Sequence, residues 1–401
     1  MSDSERDDVL NYPIPRPGPL DAPEEWARLR DKCPVGRISL PSGDEAALVT
    51  RYADVKNVLS DPRFGRLLDA DDAARLTDGE TGLFNSDMAQ VIPQSGEGHQ
   101  RWRRRVAKWF TAKRMRELSP RVEAMADKLV DEMTRTRQPA DLKAAFGFPL
   151  PVWVICELLG VPSSDRSKFG HWSDTMLNLT RYRDDEVRAA QAQFVQYMAA
   201  HVAAKRDSPG NDLLSELAHG DDPLSDAELV ATGQGLLVAG HETTANMIVK
   251  MIAMLLADRS RWDLLLNDRA LVRTAVEESL RFDANAGIGM VRYLTDAVEL
   301  SGGTVPRGTT VMCSMAAANR DETTFDDADI MRLDRSPNPH LAFGSGPHSC
   351  LGQALARTEL QVALETLLRR LPTLDLAVPV DDLRDLDGLA VGGLETLPVT
   401  W

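Results

Sequence analysis

Cys350 closes a glycine-rich stretch that reads Phe343, Gly344, Ser345, Gly346, Pro347, His348, Ser349, Cys350, Leu351, Gly352. A helix-forming run over residues 353–371 begins just beyond it. A cysteine at a helix N-terminus faces unpaired backbone N–H groups and the positive end of the dipole, so its thiolate is favoured. Gly344, Gly346 and Gly352 let backbone pass close to a bulky planar object and present N–H groups to the sulfur. A thiolate held in this way suits a soft or redox-active metal better than a disulfide. The plainer alternative is a buried structural cysteine in a turn.

A second set of residues lies more than a hundred positions upstream. Ala239, Gly240, His241, Glu242, Thr243 and Thr244 occupy the middle of the longest helical pattern, about 225–258, which opens on the capping box Ser225 to Glu228. A glycine inside a helix costs about 1 kcal/mol, and a buried charge and two β-branched residues add to the conflict. Such local conflict is characteristic of a functional site. Threonine hydroxyls can bond back to the preceding turn and distort the helix there. The alternative is a packing glycine beside a satisfied threonine.

Two further pairs stand at helical spacing. His99 and Arg103 are four apart, on one face, in a helical stretch over 99–118. Residues 101–116 contain eight Lys or Arg and no acid, interleaved with Trp102, Trp109 and Phe110. Basic residues among aromatics can bind single-stranded nucleic acid, and a solvated basic helix is the bland reading. A cationic patch for an acidic partner fits an acidic chain better. Glu278 and Arg281 are three apart on a predicted helix over 271–282, a weak signal by itself.

The elements that position these groups are mainly helical. A hairpin is predicted from strands at 36–40 and 46–51, short strands at 298–300, 304–305 and 309–315, and helices at 24–32 and 53–60. The fold class is therefore mainly α with a smaller β-rich part (α+β), its β-rich portions near 36–51, 290–316 and 374–401. No internal linker divides the 401 residues, so one domain over 1–401 is expected. The formal charge of −15 argues against a general nucleic-acid binder. Cys33, Cys156, Cys313 and Cys350 form no C-x-x-C pair, which suits a reducing compartment. The acidic, polar start does not read as a signal peptide, and no apolar run reaches a membrane span. A cytoplasmic protein with no membrane partner is expected.

Phe343, Gly346, His348, Cys350 and Gly352 resemble the haem-binding loop of the cytochrome P-450 monooxygenases. Residues 239–244 are similar to that family's oxygen-activation motif, Glu278/Arg281 to its buried ion pair, and His99/Arg103 to its propionate ligands. The resemblance extends from about residue 12 to the C-terminus. It implies the triangular fold of the family, with haem b between the long helix and the cysteine loop, and Cys350 as axial thiolate to iron. Ala239, Gly240, Phe343, Gly344 and Gly352 would border the haem, and His99, Arg103, Arg292 and His348 would hold its propionates. Glu242 and Thr243 would be catalytic, Thr243 bonding to dioxygen and Glu242 relaying protons. Arg335 would complete a structural triad with Glu278 and Arg281.

The resemblance also implies O2 as co-substrate and electrons from NAD(P)H through a ferredoxin or flavodoxin and its reductase. That partner would dock at Arg104, Arg105, Lys108 and Lys113. Substrate contacts would come from Phe84, Met88, Val91, Ile92, Met176, Leu236, Ile288, Met290, Val391 and Leu394. The implied function is oxidation, commonly hydroxylation, of a small organic molecule in secondary metabolism. Oxidative coupling or ring closure is the alternative within the family. A haem sensor or electron carrier is the alternative outside it, and the Glu242–Thr243 pair argues against that.

Overall fold

The computed structural model describes residues 9–66, 70–77, 91–283 and 289–401. The expected contacts Phe84, Met88 and Ile288 lie outside these residues. The helices that matter here are α1 (Glu25–Lys32), α2 (Tyr52–Ser60), α3 (Gly96–Ala107), α4 (Ala112–Thr134), α5 (Pro149–Leu159), α6 (Phe169–Met176) and α7 (Asp184–Asp207). They are followed by α8 (Leu213–His219), α9 (Asp226–Leu256), α10 (Arg259–Asn267), α11 (Val272–Phe282), α12 (Met315–Ala318) and α13 (Gln353–Arg370).

The central element is α9, 31 residues and about 46 Å long. The Ser225 hydroxyl accepts from the Glu228 N–H, and the Glu228 carboxylate accepts from the Ser225 N–H at 2.8 Å, so the sequence's capping box is formed. Its C-terminal half, from Thr244 to Leu256, is buried throughout, and the helix as a whole packs among α5, α7, α11 and α13. A helix apolar on nearly every side belongs in the middle of a large core, and the buried Lys250 of this one is paired with Asp283 at 2.7 Å. It runs without a break through Gly240 and Thr243, so the groove expected from a distorted ladder is not made by unwinding.

The basic stretch is two helices rather than one. Thr111 caps α4, its hydroxyl accepting from the Arg114 N–H at 3.4 Å, and the chain turns between Lys108 and Thr111. Helix α4 then continues through Pro120. A proline there removes one hydrogen bond and costs about 3 kcal/mol. The buried stripe Met115, Leu118, Val122, Ala126, Leu129 and Met133 outweighs that by seating the helix against α13.

The principal sheet has the order β1-β2-β3-β8-β5. Its strands are β1 (Leu10–Asn11), β2 (Val35–Ser39), β3 (Glu45–Val49), β5 (Met290–Tyr293) and β8 (Thr310–Cys313). The predicted hairpin is β2–β3, with Val35 opposite Val49 and Ser39 opposite Glu45. β3 and β8 pair in parallel, and β5 closes the edge antiparallel to β8, with Arg292 opposite Val311. β6 (Val298–Leu300) pairs with β7 (Gly303–Val305). A third sheet sets β10 (Pro398–Thr400) between β9 (Asp375–Leu376) and β4 (Ala140–Asp141). β4 is too short to leave a pattern in the sequence, and its pairing partner lies over 250 residues away. One hydrophobic core surrounds α9, and a smaller one joins α2 to the β-rich part.

Candidate active site

The cysteine loop is shaped by two glycines in the left-handed region, Gly344 at φ 68° and Gly346 at φ 71°. A Cβ on Gly346 would lie 2.5 Å from the Cα of Ser60 and 2.9 Å from the Leu59 carbonyl oxygen, so α2 presses on the loop here. The Ser60 and Ser345 hydroxyls meet at 2.8 Å, and the Cys350 N–H donates to the Phe343 carbonyl at 2.7 Å, closing the loop. Cys350 is open to a solvent-sized sphere although protein surrounds it on most sides, so it borders an internal space. Burial pushes its thiol up, against the Gly352 N–H, Arg103 and Arg357, which favour the thiolate. The Gly352 N–H, at the start of α13, thus opposes the effect of burial on the sulfur, in the direction expected from the sequence. A bound metal would complete the deprotonation.

Cations converge beside the loop. The His99 and His348 rings lie 4.4 Å apart, and Arg103 donates from Nη2 to the Ser349 carbonyl at 2.6 Å. Arg292, on β5, is buried and donates to its neighbour's carbonyl at Val291. Arg66, which follows Gly65 where that residue bridges to Tyr293, joins them. Arg66 is exposed yet crowded by protein on most sides, as at a cavity wall, and that crowding, then Arg292 and Arg103, lowers its pKa to about 10. Burial, then Arg66, His99, Arg292 and Arg103, lowers that of His348 to about 3, so its ring is neutral. The Nδ1 of His348 has no partner. Among the described residues no acid forms a salt bridge with Arg66, Arg103 or Arg292. Like charges gathered without a counterion, beside a cysteine in a glycine cradle, fit a metal-bearing group that carries carboxylates. Arg66 was missed in the sequence because it sits in an irregular segment with no period or motif.

On α9, Ala239 is exposed, and Leu236, Gly240 and Thr243 are partly so, while most of their neighbours are buried. The spacing makes one accessible stripe on an interior helix. Thr243 donates its hydroxyl to the Ala239 carbonyl at 2.7 Å, the back-bond expected from sequence. Gly240 makes room for Ile155 of α5, which a Cβ would approach to 2.8 Å, so packing uses the glycine. Glu242 is 4% exposed, with Oε1 3.2 Å from His241 Nε2 and Oε2 3.5 Å from Asn246 Nδ2. The loop near the C-terminus reaches this point, because a Cβ on Gly393 would lie 2.3 Å from Asn246 Oδ1.

Glu278 and Arg281 are fully buried and joined by two bonds of 2.8 Å. Arg335 Nε lies 3.1 Å from both Glu278 oxygens, and Asn338 and the Arg332 N–H also donate to them. Arg281 ties this centre to the Asn319 and Ala328 carbonyls, both at 2.8 Å. The adjacent Glu277, passed over in sequence, grips both sides of the cysteine loop. It lies 3.0 Å from His340 Nε2 and accepts from Arg357 at 2.7 and 3.0 Å. Arg357 in turn lies 4.5 Å from the Phe343 ring centre. The only signal for Glu277 was the doubled glutamate in Glu277-Glu278.

Of the expected substrate contacts, Met176 and Leu394 are core side chains at 2% and 1% exposure, and Ile92 and Val391 are also buried. Val91, Leu236 and Met290 are partly accessible. In the expected docking face, Arg104, Lys108 and Lys113 are exposed. Arg105 is committed to an ion pair with Asp222, which also binds Arg101 at 2.5 Å. Trp109 and Phe110 are buried, and Trp102 donates to Thr232 at 2.9 Å, which leaves no aromatic platform for bases. Among the described residues no helix is long and apolar enough to cross a membrane.

Comparison with known proteins adds an independent finding. A family model described as Cytochrome P450 matches residues 262–374. The chain is 43% identical over 401 residues to Nocardicin C N-oxygenase of Nocardia uniformis subsp. tsuyamanensis, covering 99% of this chain and 100% of that one. It is 41% identical to Mycinamicin IV hydroxylase/epoxidase of Micromonospora griseorubida, over 97% of this chain and 98% of the relative. Among solved structures, SgvP, a proposed thioether synthase in the tailoring step of griseoviridin, superposes with a TM-score of 0.92 at 39% identity. That match covers 98% of this chain and all of the other.

Proposed function

The chain belongs to the cytochrome P450 family and is a haem-thiolate monooxygenase; we propose that Cys350 is its iron ligand and that it tailors a secondary metabolite. The observation that carries the site assignment is Cys350 in its glycine loop beside Arg66, Arg103 and Arg292, three cations with no acidic partner among the described residues. Haem b fits this set, with its propionates taken by the three arginines, His99 and His348. The chemistry a thiolate-ligated haem supplies is reductive cleavage of dioxygen, favoured by the electron density of the sulfur.

The protein's own residues do the rest. Gly344 and Gly346 hold the loop flat enough for close approach, and the Gly352 N–H steadies the sulfur. The stripe Leu236, Ala239 and Thr243 borders the reaction space. Glu242 moves protons, and the Thr243 hydroxyl orients oxygen by giving up its bond to Ala239. Electrons come from NAD(P)H through a ferredoxin or flavodoxin that docks on Arg104, Lys108 and Lys113, in the cytoplasm. The reduced protein with carbon monoxide tests the ligand. Wild type should give the strongly red-shifted band of thiolate ligation, and C350H should lose it. A wild-type band at the position of histidine-ligated haem would refute the assignment.

The likeness to a proposed thioether synthase favours one second reading, in which the oxidant forms a bond within the substrate instead of inserting oxygen. Product mass separates them, since bond formation removes two hydrogens and adds no oxygen.

A further inference from the structure

We propose, building on the haem-thiolate reading above, that Lys250 and Asp283 form a buried cross-tie that sets the register of α9 against α11. Lys250 is thereby a positioning residue, fixing where the accessible stripe of α9 stands relative to the cysteine loop. Each of the two residues is misplaced by local rules. Lys250 is 2% exposed, in a stretch from Met247 to Leu256 that is otherwise apolar. A buried cation there is costly unless it is paired. Asp283 is the C-cap of α11 and is 6% exposed. A carboxylate at a helix C-terminus faces the negative end of the dipole. The two conflicts answer one another, because Lys250 Nζ lies 2.7 Å from Asp283 Oδ2. Local conflict of this kind is tolerated where function requires it.

The end of α11 is held from two further sides. Arg16, in the N-terminal segment, brings Nη2 to 3.3 Å from the same carboxylate oxygen, and its Nε donates to the Asp21 carbonyl at 2.7 Å. Arg320 donates Nε and Nη2 to the Phe282 carbonyl, at 3.0 and 2.8 Å. Asp385, half-buried in the loop near the C-terminus, is a second acid facing Lys250 and Arg16. Burial raises the Asp283 pKa, but Lys250 and then Arg16 outweigh it and hold the carboxyl below its usual range. Burial also lowers the Lys250 pKa, and Asp283 offsets only part of that. The two balances differ because the acid meets two cations, whereas Arg16 repels the lysine.

A buried ion pair adds little stability over apolar residues of the same volume, and its best-attested use is to fix register. Apolar side chains tolerate some sliding between helices. A slip of one residue moves a side chain about 1.5 Å along the axis and about 100° around it. That displacement would part Lys250 from Asp283 and leave a cation buried without its anion. The two anchor points suit this task. Lys250 lies about two turns beyond Glu242 and Thr243 on α9. Asp283 lies about one and a half turns beyond Glu277 and Glu278, which hold the cysteine loop and the segment leading to it. The tie joins the helix that borders the reaction space to the helix that fixes the sulfur.

The test uses the full-length holoenzyme in its reduced carbon-monoxide form, read by the infrared C–O stretch. The double variant Lys250→Met/Asp283→Asn removes both charges together. Its urea midpoint should stay at the wild-type value, because no buried charge is stranded and Arg16 keeps 24% of its side chain exposed. Its C–O stretch should broaden or split where the wild type gives a single band, as α9 takes more than one register. Asp283→Glu keeps both charges and lengthens the tie, so it should shift the stretch even if the double variant does not fold. An unmoved stretch in either variant overturns the proposal, whatever the midpoint. Absence of the thiolate carbon-monoxide band in the wild type would instead refute the cysteine assignment, so the two failures are distinguishable.

Discussion

Glu277→Gln isolates one clamp on the cysteine loop, and its effect has a sign that pH reveals. Burial alone would raise this carboxyl, but the bonds from His340 and Arg357 outweigh it and lower its pKa from 4.5 to about 2. A folded value below the unfolded one stabilises the folded state above the unfolded value. That contribution is complete above pH 4.5 and lost as the pH falls towards 2. The displacement corresponds to at most about 3.5 kcal/mol at 1.4 kcal/mol per unit. Side-chain exposure of 21% at Glu277 and 32% at Arg357 reduces this by screening, to about 1–2 kcal/mol.

Urea unfolding of the holoenzyme, followed by tryptophan fluorescence and by the haem band, measures the difference between wild type and E277Q. The gap should be widest at neutral pH and should close between about pH 4.5 and pH 2. Because Glu277 grips both His340 before the loop and Arg357 after it, the haem band should change before the fluorescence does. A gap that stays constant across that range would refute the ion-pair explanation. Simultaneous transitions would refute the claim that the clamp acts locally.

Other perturbations give separate outcomes. Glu278→Ala should destabilise by about 3–5 kcal/mol or prevent folding, since it strands two buried guanidiniums. Arg335→Ala should cost less, because Glu278 keeps Arg281, Asn338 and the Arg332 N–H; equal midpoints in urea would contradict this ranking. Gly346→Ala combines a left-handed backbone, about 1–2 kcal/mol, with a Cβ 2.5 Å from Ser60 Cα, so the loop must shift. Its carbon-monoxide spectrum should then show a reduced thiolate fraction, and an unaltered spectrum would show that the loop tolerates the side chain. Arg66→Met should hasten haem transfer to apomyoglobin while stabilising the protein stripped of haem, because it relieves repulsion from Arg103 and Arg292. Unchanged transfer would remove Arg66 from the propionate set.

What could be read in the sequence follows from how local each feature is. The long α9 and its capping box, the β2–β3 hairpin, and the Cys350 loop each carry their signal within a few residues. The split between α3 and α4 was hidden because the basic residues continue across it, whereas the start of α4 is marked by a single capping residue, Thr111. β4 and Arg66 were illegible for a different reason: each is defined by a partner far away in the chain. Met176 and Leu394 show the same limit at the substrate side, since periodicity marks a residue as apolar without distinguishing core from cavity.

The adjacent glutamates show how topology divides one short motif into two tasks. Successive helical residues point about 100° apart, so Glu277 and Glu278 cannot serve the same partners. Glu278 turns inward, where Arg281 and Arg335 fasten α11 to the 319–335 segment that leads towards the loop. Glu277 turns to the flank and fastens the loop itself, through His340 at its start and Arg357 in the second turn of α13. The first contact sets where the loop begins, and the second sets how its two ends are held together. Cys350, whose N–H closes on the Phe343 carbonyl, then has little freedom left to move. The position of the sulfur is therefore fixed from α11, a helix that carries none of the proposed catalytic residues.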